Sequence, residues 1–157
     1  MFRLNRLTDY GVVLMSQMSL RGGELRSAQQ ISDDTAVPLP TVAKLLNLLS
    51  KAGLVTSQRG AAGGYALSRS PEEISVAQII QALEGPIALT ACVTGASDSC
   101  DVESLCPMRG NWDKVNTAIQ DALTSVSLAE MSAFPENFGL PTAGTKVPLR
   151  PRGKIEN

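Results

Sequence analysis

A chain of 157 residues with 43% apolar content can bury one core without disulfide staples, and it is too short for two full domains. Its net charge of −1 excludes a uniformly basic polyanion binder. No apolar run reaches the length of a membrane span, and the opening MFRLNRLTDY lacks the apolar stretch and cleavage site of a signal peptide, so a cytoplasmic protein is expected.

In chain order, Thr8 and Asp9 suit a helix start, and Val12, Val13, Met15 and Met18 followed by Gly22 and Gly23 outline a first helix and its stop. Ser27 with Gln30 forms a capping box that opens a short helix through Ile31, ending near Thr35. In VPLPTVAKLLNLLSKAG, Pro40 fits a first turn, Val42, Leu45, Leu46 and Leu49 form a buried stripe, and Gly53 ends the helix. Two short helices joined by a tight turn make a helix-turn-helix. Residues 54–58 and 65–68 read as strands around the loop RGAAGG, a hairpin placed as a wing. A further capping box, Ser75 with Gln78, opens a helix bearing Val76, Ile79, Ile80 and Leu83 that Gly85 and Pro86 terminate.

Residues 86–110 show no sustained period and read as a loop. Trp112, Val115, Ile119, Ala122 and Val126 then recur at three- and four-residue intervals, a narrow seam that predicts a partner helix and hence a homodimer. After Phe134, Pro135, Pro141, Pro148 and Pro151 describe a tail that cannot pack a core. The expected fold is mainly α, a winged helix-turn-helix with a small β-hairpin wing and a long C-terminal dimerisation helix. Its parts are the DNA-binding unit over 1–85, a cysteine-bearing loop over 86–110, the dimerisation helix with a short following helix over 111–133, and a disordered tail over 134–157.

Charge is uneven along the chain: residues 1–70 carry eight Lys or Arg against four Asp or Glu, residues 71–157 six against eleven. That places any phosphate contact in the front half. There Thr41, Lys44, Asn47 and Lys51 fall on the helix face opposite the leucines. Such a face is commonly only solvated, but the capped helix before it and the wing after it favour double-stranded DNA. The lysines would hold phosphates, and Thr41 and Asn47 would reach base edges. Arg59 at the wing tip, beside Gly60, is placed for a minor groove; without the helix-turn-helix upstream it would read as a solvated turn arginine.

The chain has no histidine, and its three cysteines, Cys92, Cys100 and Cys106, all lie in the loop with gaps of seven and five residues. An odd number in a reducing compartment disfavours a disulfide framework. Structural zinc wants four ligands, usually in tight pairs. Thiolates across wide gaps suit an iron-sulfur cluster instead, 2Fe-2S or 4Fe-4S, with Asp98, Asp101, Glu103, Asp113 or Asp9 as candidate fourth ligand. A carboxylate holds iron less firmly than a thiolate, and the resulting lability suits a sensor.

The segments LTDYG at 7–11, LPTVAKLL at 39–46, GLVTSQRGAAGGY at 53–65, ISVAQIIQALEGPIALTAC at 74–92 and CPMRGNW at 106–112 resemble the bacterial winged-helix repressors that sense iron-sulfur clusters. This is the family of the Isc-type regulator and the nitric-oxide-sensing Nsr-type repressor, and within it the likeness is greatest to regulators of the Suf assembly system. The resemblance spans roughly residues 1–133. It implies a homodimer on a palindromic operator, with Cys92, Cys100 and Cys106 as cluster ligands and Arg59 as the minor-groove arginine. It also implies Asp9, contributed across the dimer, as the fourth ligand, as in the Nsr-type repressors. Three features depart: Arg109 stands where the Isc-type regulator has its ligand histidine, the first cysteine gap is two residues longer, and Ala43 stands where that regulator has a base-tuning glutamate. The alternatives are an iron-sulfur carrier or electron-transfer protein, and a cluster-free thiol-redox or nitric-oxide-responsive regulator. No nucleophile, base and orienting group fall in a recognisable motif, so neither an enzyme nor a small-molecule substrate is expected.

Overall fold

The computed structural model describes residues 4–60, 62–96, 106–108 and 110–133. The expected disordered tail lies outside the described residues. The elements are α1 (Arg6–Ser19), α2 (Ala28–Thr35), α3 (Leu39–Lys51), β1 (Val55–Gln58), β2 (Gly64–Leu67), a 3-10 turn (Pro71–Glu73), α4 (Val76–Glu84), α5 (Asn111–Ser125) and α6 (Leu128–Ser132).

The first helix begins earlier than Thr8 and Asp9 predict, because Asn5 is its cap: the Asn5 side chain accepts the Thr8 N–H at 2.9 Å. Thr8, read from sequence as a boundary residue, is fully buried, and its hydroxyl donates to Glu84. Glu84 also accepts the Asn5 N–H at 3.2 Å, which sets a carboxylate at the positive end of α1 and binds it to the last residue of α4. Gly11 leaves room where these helices meet: an added Cβ would meet the end of the Leu83 side chain, which would have to shift. Val13, expected on the apolar face, is 43% exposed.

The capping boxes at Ser27–Gln30 and Ser75–Gln78 form as predicted, each with side chain and backbone bonds in both directions. Between α2 and α3, Ala36 takes the left-handed conformation (φ 57°), Val37 is buried, and the Ser32 hydroxyl holds the Val37 carbonyl at 2.7 Å. This three-residue turn fixes the angle of α3. Val42, Leu45, Leu46 and Leu49 are all fully buried against Leu14 and Met15 of α1, Ile31 of α2, Ile79 of α4 and Leu128 of α6. Each such side chain contributes about 1.5–3 kcal/mol on burial.

β1 and β2 pair antiparallel with Val55 opposite Leu67 and Gln58 opposite Gly64. The hairpin is pinned to the start of α2 by a bridge that the sequence does not announce. Arg26 and Tyr65 exchange N–H···O bonds of 3.0 and 2.8 Å, and Gly64 lets this happen because a Cβ there would meet the Arg26 backbone. The Arg26 side chain is held in turn by Asp34 at 2.7 Å.

A second, smaller cluster joins α4 to α5: Val76, Ala77, Ile80 and Ile87 pack with Leu4, Ile119, Leu123 and Val126. The predicted seam is thereby divided. Ile119 and Val126 turn into their own subunit, and Val126 lies just past the helix end. Trp112 and Val115 remain 39% and 45% exposed, and Ala122 is exposed as well. Where α5 gives way to α6, Val76 N–H meets the Val126 carbonyl at 2.9 Å and Leu128 N–H the Ile74 carbonyl at 2.7 Å. Ser127 and Glu130 form the capping box of α6. The Ser127 backbone N–H, and secondarily its hydroxyl, hold the Glu130 carboxyl below its ordinary pKa.

Candidate functional site

On α3 the burial of the leucine stripe leaves the opposite face open. Lys44, Asn47 and Lys51 are exposed and Thr41 is half-buried at the helix start, beside the exposed Leu39 and Pro40. β1 continues this polar surface, with Thr56, Ser57 and Gln58 exposed beyond the buried Val55. Arg59 and Gly60 follow directly, both exposed, in a tight turn where Gly60 has a φ of 113° and the Gly63 N–H meets the Gly60 carbonyl at 2.9 Å. Among the described residues, ion pairs form at Arg21 and Arg26, and none engages Lys44, Lys51 or Arg59. Three exposed cations, two on α3 and one just past β1, suit a phosphate backbone.

The cysteine loop begins at the far end of α4. Gly85, with φ 90°, ends that helix, and Ile87 buries its side chain between α4 and α5. From there the chain is laced to α5 by polar side chains. Asn116, only 5% exposed, donates from Nδ2 to the Ile87 carbonyl at 2.9 Å and accepts the Leu89 N–H at Oδ1 at 3.0 Å. Asp113 accepts the Thr94 N–H at 2.8 Å. Cys92 lies between these anchors, half-buried, with Sγ 3.2 Å from the Thr90 hydroxyl oxygen. Cys106, also half-buried, lies just before α5, which a turn from Asn111 N–H to the Met108 carbonyl opens.

Of the sequence-predicted ligands, Cys92 and Cys106 are free thiols brought to the same end of α5. Cys100, Asp98, Asp101 and Glu103 lie outside the described residues, as does Arg109. Asp113 has a structural task at Thr94, and Asp9 is exposed on the first turn of α1. Among the described residues no three His, Cys, Asp or Glu side chains gather. The donor set fits an iron-sulfur group in kind: two unpaired thiols, partly open to solvent, with the third cysteine on the stretch between them.

Asn116, Glu84 and the tethering role of Asp113 are missing from the sequence reading. Asn116 left a signal, because with Ile119 and Leu123 it falls at i, i+3 and i+7, a polar residue in an otherwise apolar stripe. Asp113 was seen only as a ligand candidate. Nothing in the sequence marks Glu84 as the partner of Asn5 and Thr8.

No helix among the described residues is long and apolar enough to cross a membrane. The profile of the Rrf2 family, described as an iron-dependent transcriptional regulator, matches residues 4–133. Among solved structures, the chain is similar to CymR, the global cysteine regulator of B. subtilis, at 28% identity and a TM-score of 0.64, covering 84% of this chain and 97% of that one. It is similar to IscR of T. potens at 32% identity and a TM-score of 0.60, covering 83% and 85%. CymR of Staphylococcus aureus also matches, at 28% identity and a TM-score of 0.59 over 84% and 99%. With the helix-turn-helix, the hairpin wing and a matching profile over residues 4–133, the chain belongs to the Rrf2 family of winged-helix, DNA-binding transcriptional regulators.

Proposed function

We propose that this chain is an iron-sulfur-cluster-sensing repressor of Suf-type cluster-assembly genes, acting in the cytoplasm as a homodimer on a palindromic operator. The observation that carries the reading is the placement of Cys92 and Cys106 at one end of α5, on a loop that leaves directly from α4. In this account residues 1–85 bind DNA, 86–110 carry the cluster and 111–133 dimerise. Lys44 and Lys51 hold phosphates, Thr41 and Asn47 touch base edges, and Arg59, freed by Gly60, enters the minor groove. Trp112 and Val115, exposed on α5, supply the apolar surface a second copy would cover.

Cys92, Cys100 and Cys106 are the ligands, and Asp9 of the partner subunit completes the set. A bound cluster would supply a cross-link among these side chains that oxygen or nitric oxide can break. The protein's own part is mechanical. Tying the three thiolates holds the loop against α5, and freeing them lets it loosen. The change reaches DNA through α4, whose end grips α1 through Glu84 and whose Ile79 shares the core with Leu45 and Leu46 of α3. This is a shift between populations, with each 1.4 kcal/mol of differential stabilisation worth about tenfold in operator affinity.

A second reading is favoured by one comparison. The chain is also similar, at 26% identity and a TM-score of 0.60, to an oxidized form of S. aureus CymR, and this supports a reading in which the cysteines answer oxidation directly, without iron. Anaerobic reconstitution with iron and sulfide separates the two. Bound iron and sulfide with visible thiolate-to-iron absorption is expected. Colourless protein whose DNA binding follows thiol oxidation would replace the cluster with the redox switch.

A further inference from the structure

Asn116 is the one buried polar residue of α5 among the described residues, and both ends of its amide are used on another segment. Its Nδ2 meets the carbonyl of residue 87 and its Oδ1 the N–H of residue 89. In an extended strand those two backbone groups lie on the same edge, so a side-chain amide pairs with them as a neighbouring strand would. A carboxylate could not donate to Ile87, and an aliphatic side chain would leave both groups unpaired, the Ile87 carbonyl in a buried setting. One helical turn toward the N-terminus, Asp113 repeats the device by accepting the Thr94 N–H. The arch from Leu89 to Thr94, which carries Cys92, is therefore fastened at both ends to consecutive turns of α5. Cys106 precedes that helix by five residues, just before the turn that opens it.

We propose that Asn116 is a positioning residue for the cofactor loop. With Asp113 as its companion, it registers the Cys92 arch against α5, so that Cys92 and Cys106 face a common ligand before any ligand binds. The inference rests on the reading of these cysteines as iron-sulfur ligands, but the clamp itself can be measured without iron. Pre-ordering one thiol relative to another removes part of the ordering entropy that cofactor capture would otherwise require. It also makes the arch responsive, because among the described residues Ile87 and Val93 are its buried side chains and three hydrogen bonds from Asn116 and Asp113 tie it to α5.

The test uses the full chain in its iron-free, reduced form. In Asn116→Ala, Cys92 should react with iodoacetamide roughly tenfold faster relative to Cys106 than in the wild type, the size expected from opening a site that one or two buried bonds held. The amide of Leu89 should exchange faster by a similar factor while amides of α3 keep their protection. Asn116→Asp, which keeps the acceptor, should restore the protection of Leu89 more than that of the arch as a whole. Asp113→Ala, at a partly exposed position, should raise the Cys92 to Cys106 ratio several-fold and decides the matter if Asn116→Ala unfolds. After anaerobic reconstitution, both alanine variants should release iron faster than wild type. An unchanged Cys92 to Cys106 ratio in both variants would overturn the clamp, as would equal acceleration of the two thiols. Wild-type protein that never takes up iron, together with alanine variants that show the ratio change, would remove the cluster reading and leave the clamp standing.

Discussion

Leu14, Met15, Leu45, Leu46 and Leu49 are fully shut off from solvent, whereas in the segment 87–96 only Ile87 and Val93 are buried and Asn116 and Asp113 do the rest of the holding. One region is built to keep its shape under any condition, because removing a core leucine opens a cavity that neighbours refill poorly. The other is held by a few polar contacts whose net worth is about 1 kcal/mol each. A regulator needs both: a rigid reader and a loop whose order a ligand can decide. The bridge between them is α4, apolar toward the reader through Ile79 and ending, one residue before the loop, in the Glu84 carboxylate that grips α1.

The contrast can be broken most forcefully in the core. Leu45→Ala should lower unfolding stability by about 2–5 kcal/mol, measured by urea denaturation, and should weaken DNA binding and cluster retention together. Cys100→Ala should do the opposite, leaving the urea midpoint of the iron-free protein unchanged while abolishing stable cluster binding. Full iron content in that variant would withdraw Cys100 from the ligand set. Arg59→Ala removes from the exposed wing the cation proposed for the minor groove and should weaken operator binding by about 1–3 kcal/mol with the cluster spectrum intact. A lost spectrum with intact binding would reverse that assignment.

The smallest effect concerns α6. The Glu130 carboxyl is held below its ordinary pKa by Ser127, so its support of the α6 cap is present above the ordinary carboxylate range and is lost as pH falls through the lowered value. Because the group is exposed, fraying should be confined to α6, visible in amide exchange of residues near its N-terminus, with the α3 core unaffected at the same pH.

Much of the reader was legible in the sequence because its signals are local. Ser27 with Gln30, Ser75 with Gln78, and the spacing of Val42, Leu45, Leu46 and Leu49 each specify an element from within a few residues. The misses arise where the deciding contact is distant. Asn5 outcompetes Thr8 as the cap of α1 because Thr8 is needed inside, against Glu84, a residue 76 positions away. The α5 seam was read as one surface, but its apolar residues divide between the chain's own α4 and solvent, and periodicity alone does not say which neighbour a stripe faces. The three thiols were conspicuous by composition. The residues that place Cys92 were not, since Asn116 and Asp113 act on backbone groups that carry no sequence mark.

In the proposed function, the state of the cysteine loop governs how the α3 and wing surface meets DNA. The most direct measurement is operator affinity of one anaerobic preparation before and after cluster removal, at fixed salt, with Cys100→Ala in parallel. The account predicts that wild-type affinity changes by tenfold or more between the two states while the variant stays at the cluster-free value. Equal affinity in both states, with iron loading verified, would contradict it.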